Sequence, residues 1–283
     1  MKNVVLIGIG LIGGSMVKDL KKLHPETTII GVDKNPDHIN QALASQLIDE
    51  KGDINVVKQA DVVILSIPVD ASVKMLPEIL DLIQDDALVI DVGSTKQDIC
   101  KAVEQHPNRR NYLAAHPIAG TEFSGPQAAI NDLFRGKTNI ICDVEKTAFK
   151  LQEKALSIFA DLGMRIRYMN PESHDKHIAY VSHLSHISSF MLGKTVIEKE
   201  RNERDIFDMA GSGFASTVRL AKSSPDMWTP IFKQNKSNVI ETLEEYITNL
   251  NQFKKLLELD DFEAIFNEMK NTNRIKDILK GIA

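Results

Sequence analysis

Six short runs of apolar and β-branched residues, NVVLIGIG, TTIIGVD, ADVVILSIP, DALVIDVG, YLAAHP and TNIICDV, recur through the first half of the chain. Each is almost continuously apolar, as a strand buried on both faces must be, and the stretches between them are long enough for crossover helices. Strand, helix, strand repeated from residue 3 to about residue 143 predicts an α/β fold with a doubly wound parallel sheet. KLQEKALSIFADLG then reads as a helix and MRIRYM as a last strand. Near NPESHD the pattern changes, with Asn170 as N-cap and Pro171 as first helical residue.

From Glu172 onward the period is helical and strand runs cease. ESHDKHIAYVSHLSHISSFMLGKTVIEK, STVRLAKSS, DMWTPIFKQNKSNVIETLEEYITNLNQFKKLLEL and DDFEAIFNEMKNTNRIKDILKGI give at least four helices, with Pro225 and Pro230 marking starts or kinks. Their apolar positions exceed one core face, which predicts an intertwined homodimer. A length of 283 residues suits two domains, a sheet domain over 1–170 and an all-α dimerisation domain over 171–283.

The formal net charge of −5 argues against a dedicated nucleic-acid surface, so any anionic ligand must meet local cations. No stretch reaches the roughly 20 apolar residues that crossing a bilayer requires. MKNVVLIGIGLIGGSMV imitates a signal peptide, but glycines interrupt it and no small-residue cleavage site follows. Cys100 and Cys142 follow neither metal-ligand spacing nor a disulfide framework, which points to a reducing cytoplasm.

Gly8, Gly10 and Gly13 form G-x-G-x-x-G, with Leu11 and Ile12 between the last two, directly after the first strand and before a helix. Glycines there permit a tight turn, close approach of backbone to a pyrophosphate, and close helix–strand packing. Alone the motif is weak, but Asp33 ends the second strand twenty residues later, where a carboxylate accepts from the adenosine ribose hydroxyls. Together they point to NAD, while the adjacent Lys34 leaves NADP open.

Ligands of such sheets lie outside the carboxyl ends of the strands. Ser66, Ile67 and Pro68 end one strand and are placed to wall a nicotinamide, Ser94 in DVGSTK follows the next, and His116 ends the one after. Taken singly, each is as readily a plain strand exit, and His116 as readily a satisfied core histidine. His174, His177, His183 and His186 crowd one helix, but at about 100° per residue the two pairs fall on different faces, so no metal site is expected.

GIGLIGGS, DVGST followed by Lys96, HPIAGTE, SHLSH and GSGFASTVRLA, in this order and at these separations, resemble the prephenate dehydrogenase family, which includes arogenate dehydrogenases. The resemblance covers nearly the whole chain. It implies a Rossmann domain followed by a helical dimerisation domain, and NAD-dependent oxidative decarboxylation of prephenate to 4-hydroxyphenylpyruvate in tyrosine biosynthesis. By the same resemblance His116 is the base that takes the C4 hydroxyl proton, Ser94 holds that hydroxyl or His116, and Thr121 and Glu122 lie at the mouth of the site. Arg219 matches the family's carboxylate-binding arginine, His183 and His186 look towards the substrate, and His174 supports the cleft. The chain is expected to stop after its helical domain, with no fused chorismate mutase or regulatory domain.

Two departures bear on this resemblance. Ser185 stands where a proline is expected in the H-L-x-H motif. Ser216 stands three positions before Arg219, where arogenate-preferring relatives are expected to carry an acid for the substrate ammonium, so prephenate is the better fit. A β-hydroxyacid dehydrogenase would want a catalytic lysine on the inter-domain helix; Lys176 and Lys194 are there without the surrounding pattern. An NAD-sensing regulator would tolerate loss of His116.

Overall fold

The computed structural model describes residues 1–280 apart from Asn202 and Arg204. Its first part runs β1 (Asn3–Ile7), α1 (Leu11–Leu23), β2 (Thr28–Val32), α2 (Pro36–Ala44), β3 (Glu50–Lys51), β4 (Val62–Leu65), α3 (Val69–Leu82), β5 (Leu88–Asp91), α4 (Gln97–Ala102), β6 (Tyr112–Pro117), β7 (Thr138–Cys142), α5 (Phe149–Asp161) and β8 (Arg165–Met169). The strands form one sheet in the order β3-β2-β1-β4-β5-β6-β7-β8. Helices α1, α2 and α5 bury Met16, Ile39 and Phe159 against one face, and α3 and α4 bury Leu76 and Ile99 against the other. Both faces are therefore dry, which is why Val62–Leu65 and Leu88–Asp91 are buried throughout. Successive strands leave β1 in opposite directions, to β2 and to β4, so the crevice between these two lies at the carboxyl end of β1.

Two features differ from the expected parallel sheet. β7 runs antiparallel to β6, with Ala114 opposite Cys142 and Pro117 opposite Asn139. The intervening segment holds only a 3₁₀ turn, Pro126–Ala128, and without a crossover helix the chain returns in the opposite direction. This segment is pinned to α1, where Ser15 Oγ accepts from the Ile130 N–H at 3.0 Å and Lys18 donates to the Ala129 carbonyl at 3.1 Å. The short edge strand β3 has two exposed charged residues and no apolar run to reveal it.

The helical part comprises α6 (Pro171–Ile178), a π-helical turn (Ala179–His183), α7 (Leu184–Glu200), α8 (Ser212–Thr217), α9 (Pro225–Gln234), α10 (Lys236–Glu258), α11 (Phe262–Thr272) and α12 (Ile275–Lys280). Asn170 caps α6 by accepting the Ser173 N–H at 2.7 Å, and Pro171 supplies the pre-set φ of its first turn. The run read as one helix from Asp226 breaks at Asn235, whose buried side chain turns inward to donate to the Asp175 carbonyl at 2.6 Å. By packing, Met1–Lys236 form one compact unit and the chain from Ser237 onward a second. Within the first, α6 packs on α4 and α9 on α3, which brings the helices to the carboxyl ends of the strands. In the second, Ile247, Leu250, Phe253, Leu257, Phe262 and Phe266 are exposed. Among the described residues no helix is long and apolar enough to cross a membrane.

Candidate active site

The turn after β1 is closed below and open above. Gly8 has φ +90°, and a Cβ there would lie 2.3 Å from the Ser66 carbonyl oxygen. A Cβ on Gly13 would lie 2.6 Å from Leu6 Cδ1 and 2.8 Å from Ser66 Cβ, and the Gly13 N–H donates to Ser66 Oγ at 3.1 Å. A Cβ on Gly10 would meet no described heavy atom within 4 Å, so this glycine faces open space at the start of α1. Leu11 is buried and Ile12 half-buried behind it. The Asp33 carboxylate, just beyond β2, accepts from the Ile9 N–H at 2.8 Å and the Asn35 N–H at 2.8 Å and stands 3.3 Å from His38 Nδ1. An open glycine at a helix N-terminus beside a fixed carboxylate has the shape and charge that a dinucleotide's pyrophosphate and ribose need, so these residues fit NAD. Ser66, Ile67 and Pro68 leave β4 on the same side of the sheet. Lys34 is exposed.

His116 ends β6 and is buried. Its Nδ1 lies 2.8 Å from Nε2 of His174 on α6, while its Nε2 makes no hydrogen bond among the described residues. Burial first, then His174, Lys96 and His183, hold its pKa well below the ordinary imidazole value, so the ring is neutral near pH 7. A neutral, buried imidazole with one free nitrogen at a strand end is equipped to accept a proton. Ser94 is half-buried after the adjacent strand, β5.

His174 Nδ1 is 2.7 Å from the Asp175 carboxylate. That carboxylate also accepts the main-chain N–H groups of Lys96 and Gln97 at 2.8 and 2.9 Å, at the first turn of α4. Lys96 is wholly buried, and its ammonium pairs with Asp91 and donates to the Ala115 carbonyl at 2.7 Å. Tyr112 completes the pair's shell by donating its hydroxyl to Asp91 at 2.7 Å. Burial and the Asp91 charge raise the Tyr112 pKa well above the ordinary phenol value, so it keeps that proton.

His183 and His186 line a second cluster. His183 stands edge-on to Trp228 with centroids 5.7 Å apart, Asn235 lies 3.1 Å from its Nδ1, and its buried Nε2 has no partner among the described residues. Burial lowers its pKa to about 4. His186 stacks on Trp228 at 3.5 Å and donates Nδ1–H to the Ser182 carbonyl at 2.9 Å. Trp228 is buried among Val69 and Ile231, and its indole N–H also has no partner among the described residues. Two polar atoms without partners among the described residues thus meet in one buried cluster. Arg219 is half-exposed in the 3₁₀ turn after α8, 3.6 Å from Glu122, and its charge reaches His186. Thr121 is exposed beside Glu122 and accepts the Phe123 N–H at 3.3 Å. The structure thus joins His116 with His174, Arg219 with Glu122, and His183 with His186 and Trp228. Ser216 is exposed, bonded to its own helix through the Gly213 carbonyl at 2.9 Å.

Sequence reasoning passed over Asp175 and Asn235 and named Lys96 only as part of a strand-end motif, without a role. It also separated His174 from His183, because a regular helix places residues nine apart on opposite faces. The π turn inserts an extra residue and rotates His183 by about 100°, to the side of Asp175 and Asn235. Among the described residues no three His, Cys, Asp or Glu side chains form a metal-ligand set. Burial pushes the Cys100 thiol up to about 12 and raises Cys142 as well, so both are inert.

Two family models match the chain: residues 16–168 match the prephenate dehydrogenase nucleotide-binding domain and residues 170–271 the prephenate dehydrogenase dimerization domain. A prephenate dehydrogenase of Bacillus subtilis is 33% identical over 98% of this chain and 76% of its own length. The crystal structure of prephenate dehydrogenase from Aquifex aeolicus with hydroxyphenyl propionate and NAD+ superposes with a TM-score of 0.87 at 35% identity, covering 98% of both chains. A Synechocystis arogenate dehydrogenase superposes with a TM-score of 0.77 at 26% identity, covering 97% of this chain and 99% of its own.

Proposed function

The chain belongs to the prephenate dehydrogenase family, and we propose that the strand-end crevice carries out the NAD-dependent oxidative decarboxylation of prephenate with His116 as its base. The observation that supports this most is the buried, neutral His116 with one nitrogen held and the other unbonded. In this reading Gly8, Gly10, Leu11, Ile12, Gly13 and Asp33 hold the dinucleotide, and Ser66, Ile67 and Pro68 wall its reactive ring. When bound, NAD accepts the hydride that leaves C4 of the substrate ring.

The residues of the chain move the proton and hold the two carboxylates. His116 takes the C4 hydroxyl proton as carbonyl character develops, with Ser94 holding the same hydroxyl, a contribution of typically about 10²- to 10⁴-fold. The ring carboxylate leaves as CO2, its bonding pair flows through the ring to the C4 oxygen, and the imidazolium returns the proton to give the phenol. Arg219 presents a planar fork to a substrate carboxylate and exchanges Glu122 for it. His183 and His186 meet the side chain, Thr121 and Glu122 form the mouth, and His174 holds His116 from behind. Aromatisation supplies the driving force, so positioning and exclusion of water are what remain for the protein.

Ser216 provides no carboxylate for an ammonium, which supports prephenate over arogenate. We also propose the division at 170/171 into a NAD-binding and a helical domain, a homodimer formed through the latter, and a cytoplasmic location. The exposed apolar side chains from Ile247 to Phe266 and the match to a dimerization domain support the homodimer. The test is kcat/KM from NADH absorbance for prephenate and arogenate, each with NAD and NADP. The highest value belongs to prephenate with NAD; a higher value for arogenate would overturn the Ser216 argument, and one for NADP the Asp33 argument.

A further inference from the structure

We propose that Asp175 is a positioning residue that sets the tautomer of the base, so that Nε2 of His116 and not Nδ1 receives the substrate proton. The inference rests on the reading of His116 as base and concerns a residue two hydrogen bonds away from the reacting atom. Asp175 is almost wholly buried, and three N–H groups converge on it: those of Lys96 and Gln97 and His174 Nδ1. With three N–H groups aimed at it, the carboxylate serves here as an acceptor only. His174 must therefore carry its proton on Nδ1, because the opposite tautomer would set a nitrogen lone pair against the carboxylate. Its Nε2 is left as an acceptor, 2.8 Å from His116 Nδ1. One proton must lie between these two nitrogens, and it belongs to His116. The other nitrogen of His116, unbonded among the described residues, is then a lone pair.

The same carboxylate closes a ring around the base. Lys96, whose main chain is held by Asp175, reaches with its ammonium to the Ala115 carbonyl, the peptide group immediately before His116. The imidazole is fixed through His174 and its backbone through Lys96, and both routes meet at Asp175. After proton transfer, the Nδ1–H of His116 still points at His174, and the carboxylate behind His174 stabilises the imidazolium. A carboxylate that merely capped α4 would need neither the contact to His174 nor the alignment of the two rings, whose planes cross at 64° with centroids 5.0 Å apart.

The test is a double-mutant cycle on the full-length enzyme with prephenate and NAD. Asp175→Asn keeps the volume and removes the acceptor-only character. It is expected to lower kcat about 10²-fold or more, with KM for prephenate changed less than about 3-fold. In a His116→Asn background the same change is expected to cost nothing further, because Asp175 acts through His116. Losses that multiply in the double variant would overturn the proposal and leave Asp175 as a helix cap. Full kcat in His116→Asn alone would overturn the reading of the base and this proposal with it. Where Asp175→Asn does not fold, ¹⁵N spectra of histidine-labelled wild-type enzyme decide: His116 and His174 both protonated at Nδ1 is the expected result, and a proton on His116 Nε2 overturns it.

Discussion

Alanine at Gly10 and alanine at Gly13 change the same motif by one methyl group, yet the structure assigns them opposite consequences. At Gly10 the backbone, φ −107° and ψ −165°, suits any residue, and a Cβ meets nothing within 4 Å among the described residues. The protein's own cost is the poorer N-cap, about 0.5–1 kcal/mol, or a fall in Tm of about 1–4 °C for a chain of this size. The methyl instead occupies the space assigned to the pyrophosphate, and losing one close contact of about 1.4 kcal/mol weakens NAD about tenfold. At Gly13 the methyl falls 2.6 Å from Leu6 Cδ1, 2.8 Å from Ser66 Cβ and 2.9 Å from the Gly8 carbonyl oxygen. The Gly8 carbonyl is main chain and Ser66 Cβ is attached directly to main chain, so neither yields cheaply, and overpacking costs about 1–3 kcal/mol and lowers Tm by about 2–12 °C. Thermal melts without ligand and calorimetric titration with NAD separate the two effects. Wild-type NAD affinity in Gly10→Ala would refute the phosphate-turn reading, and an unchanged Tm in Gly13→Ala would refute the packing that underlies it.

Three further outcomes follow from the site. Because the His116 pKa is held well below its ordinary value, the acid limb of kcat/KM for prephenate falls below the usual imidazole pKa of about 6.5, and a limb above that value contradicts the assignment. Arg219→Lys keeps the charge and loses the planar fork, raising KM for prephenate about tenfold with a smaller change in kcat; an unchanged KM removes Arg219 from substrate binding. His183 has a pKa of about 4 when folded against about 6.5 unfolded, so between these values the unfolded chain binds the extra proton and stability rises with pH. Acidification through that window removes about 3 kcal/mol at this position. Urea melts of wild type against His183→Gln measure it, and parallel pH profiles would contradict it.

How much could be read in advance follows from how each residue's role is written in the chain. β1, β4 and β5 were legible because burial on both faces leaves an uninterrupted apolar run, and Asp33 because its distance from Gly13 is set by one strand–helix–strand unit. The antiparallel β7 was not, since its residues look the same in either direction and only the missing crossover helix distinguishes them. His116 stood out as a titratable group at a strand end. Lys96 did not, because a lysine is nearly always solvated, and only the fold reveals that Asp91 and a carbonyl receive it in the interior. Asp175 drew no notice in the sequence, because a carboxylate within a helix is ordinarily solvated and only the fold shows that it caps a different helix. The π turn has no signature in a period of 3.6, so the approach of His183 to Asp175 and Asn235 could not be foreseen.

The most direct test is the product balance of one reaction. With purified enzyme, prephenate and NAD, the account predicts NADH, CO2 and 4-hydroxyphenylpyruvate in equal amounts, with all three lost together in His116→Asn. NADH formed without CO2, or undiminished turnover in that variant, would contradict it.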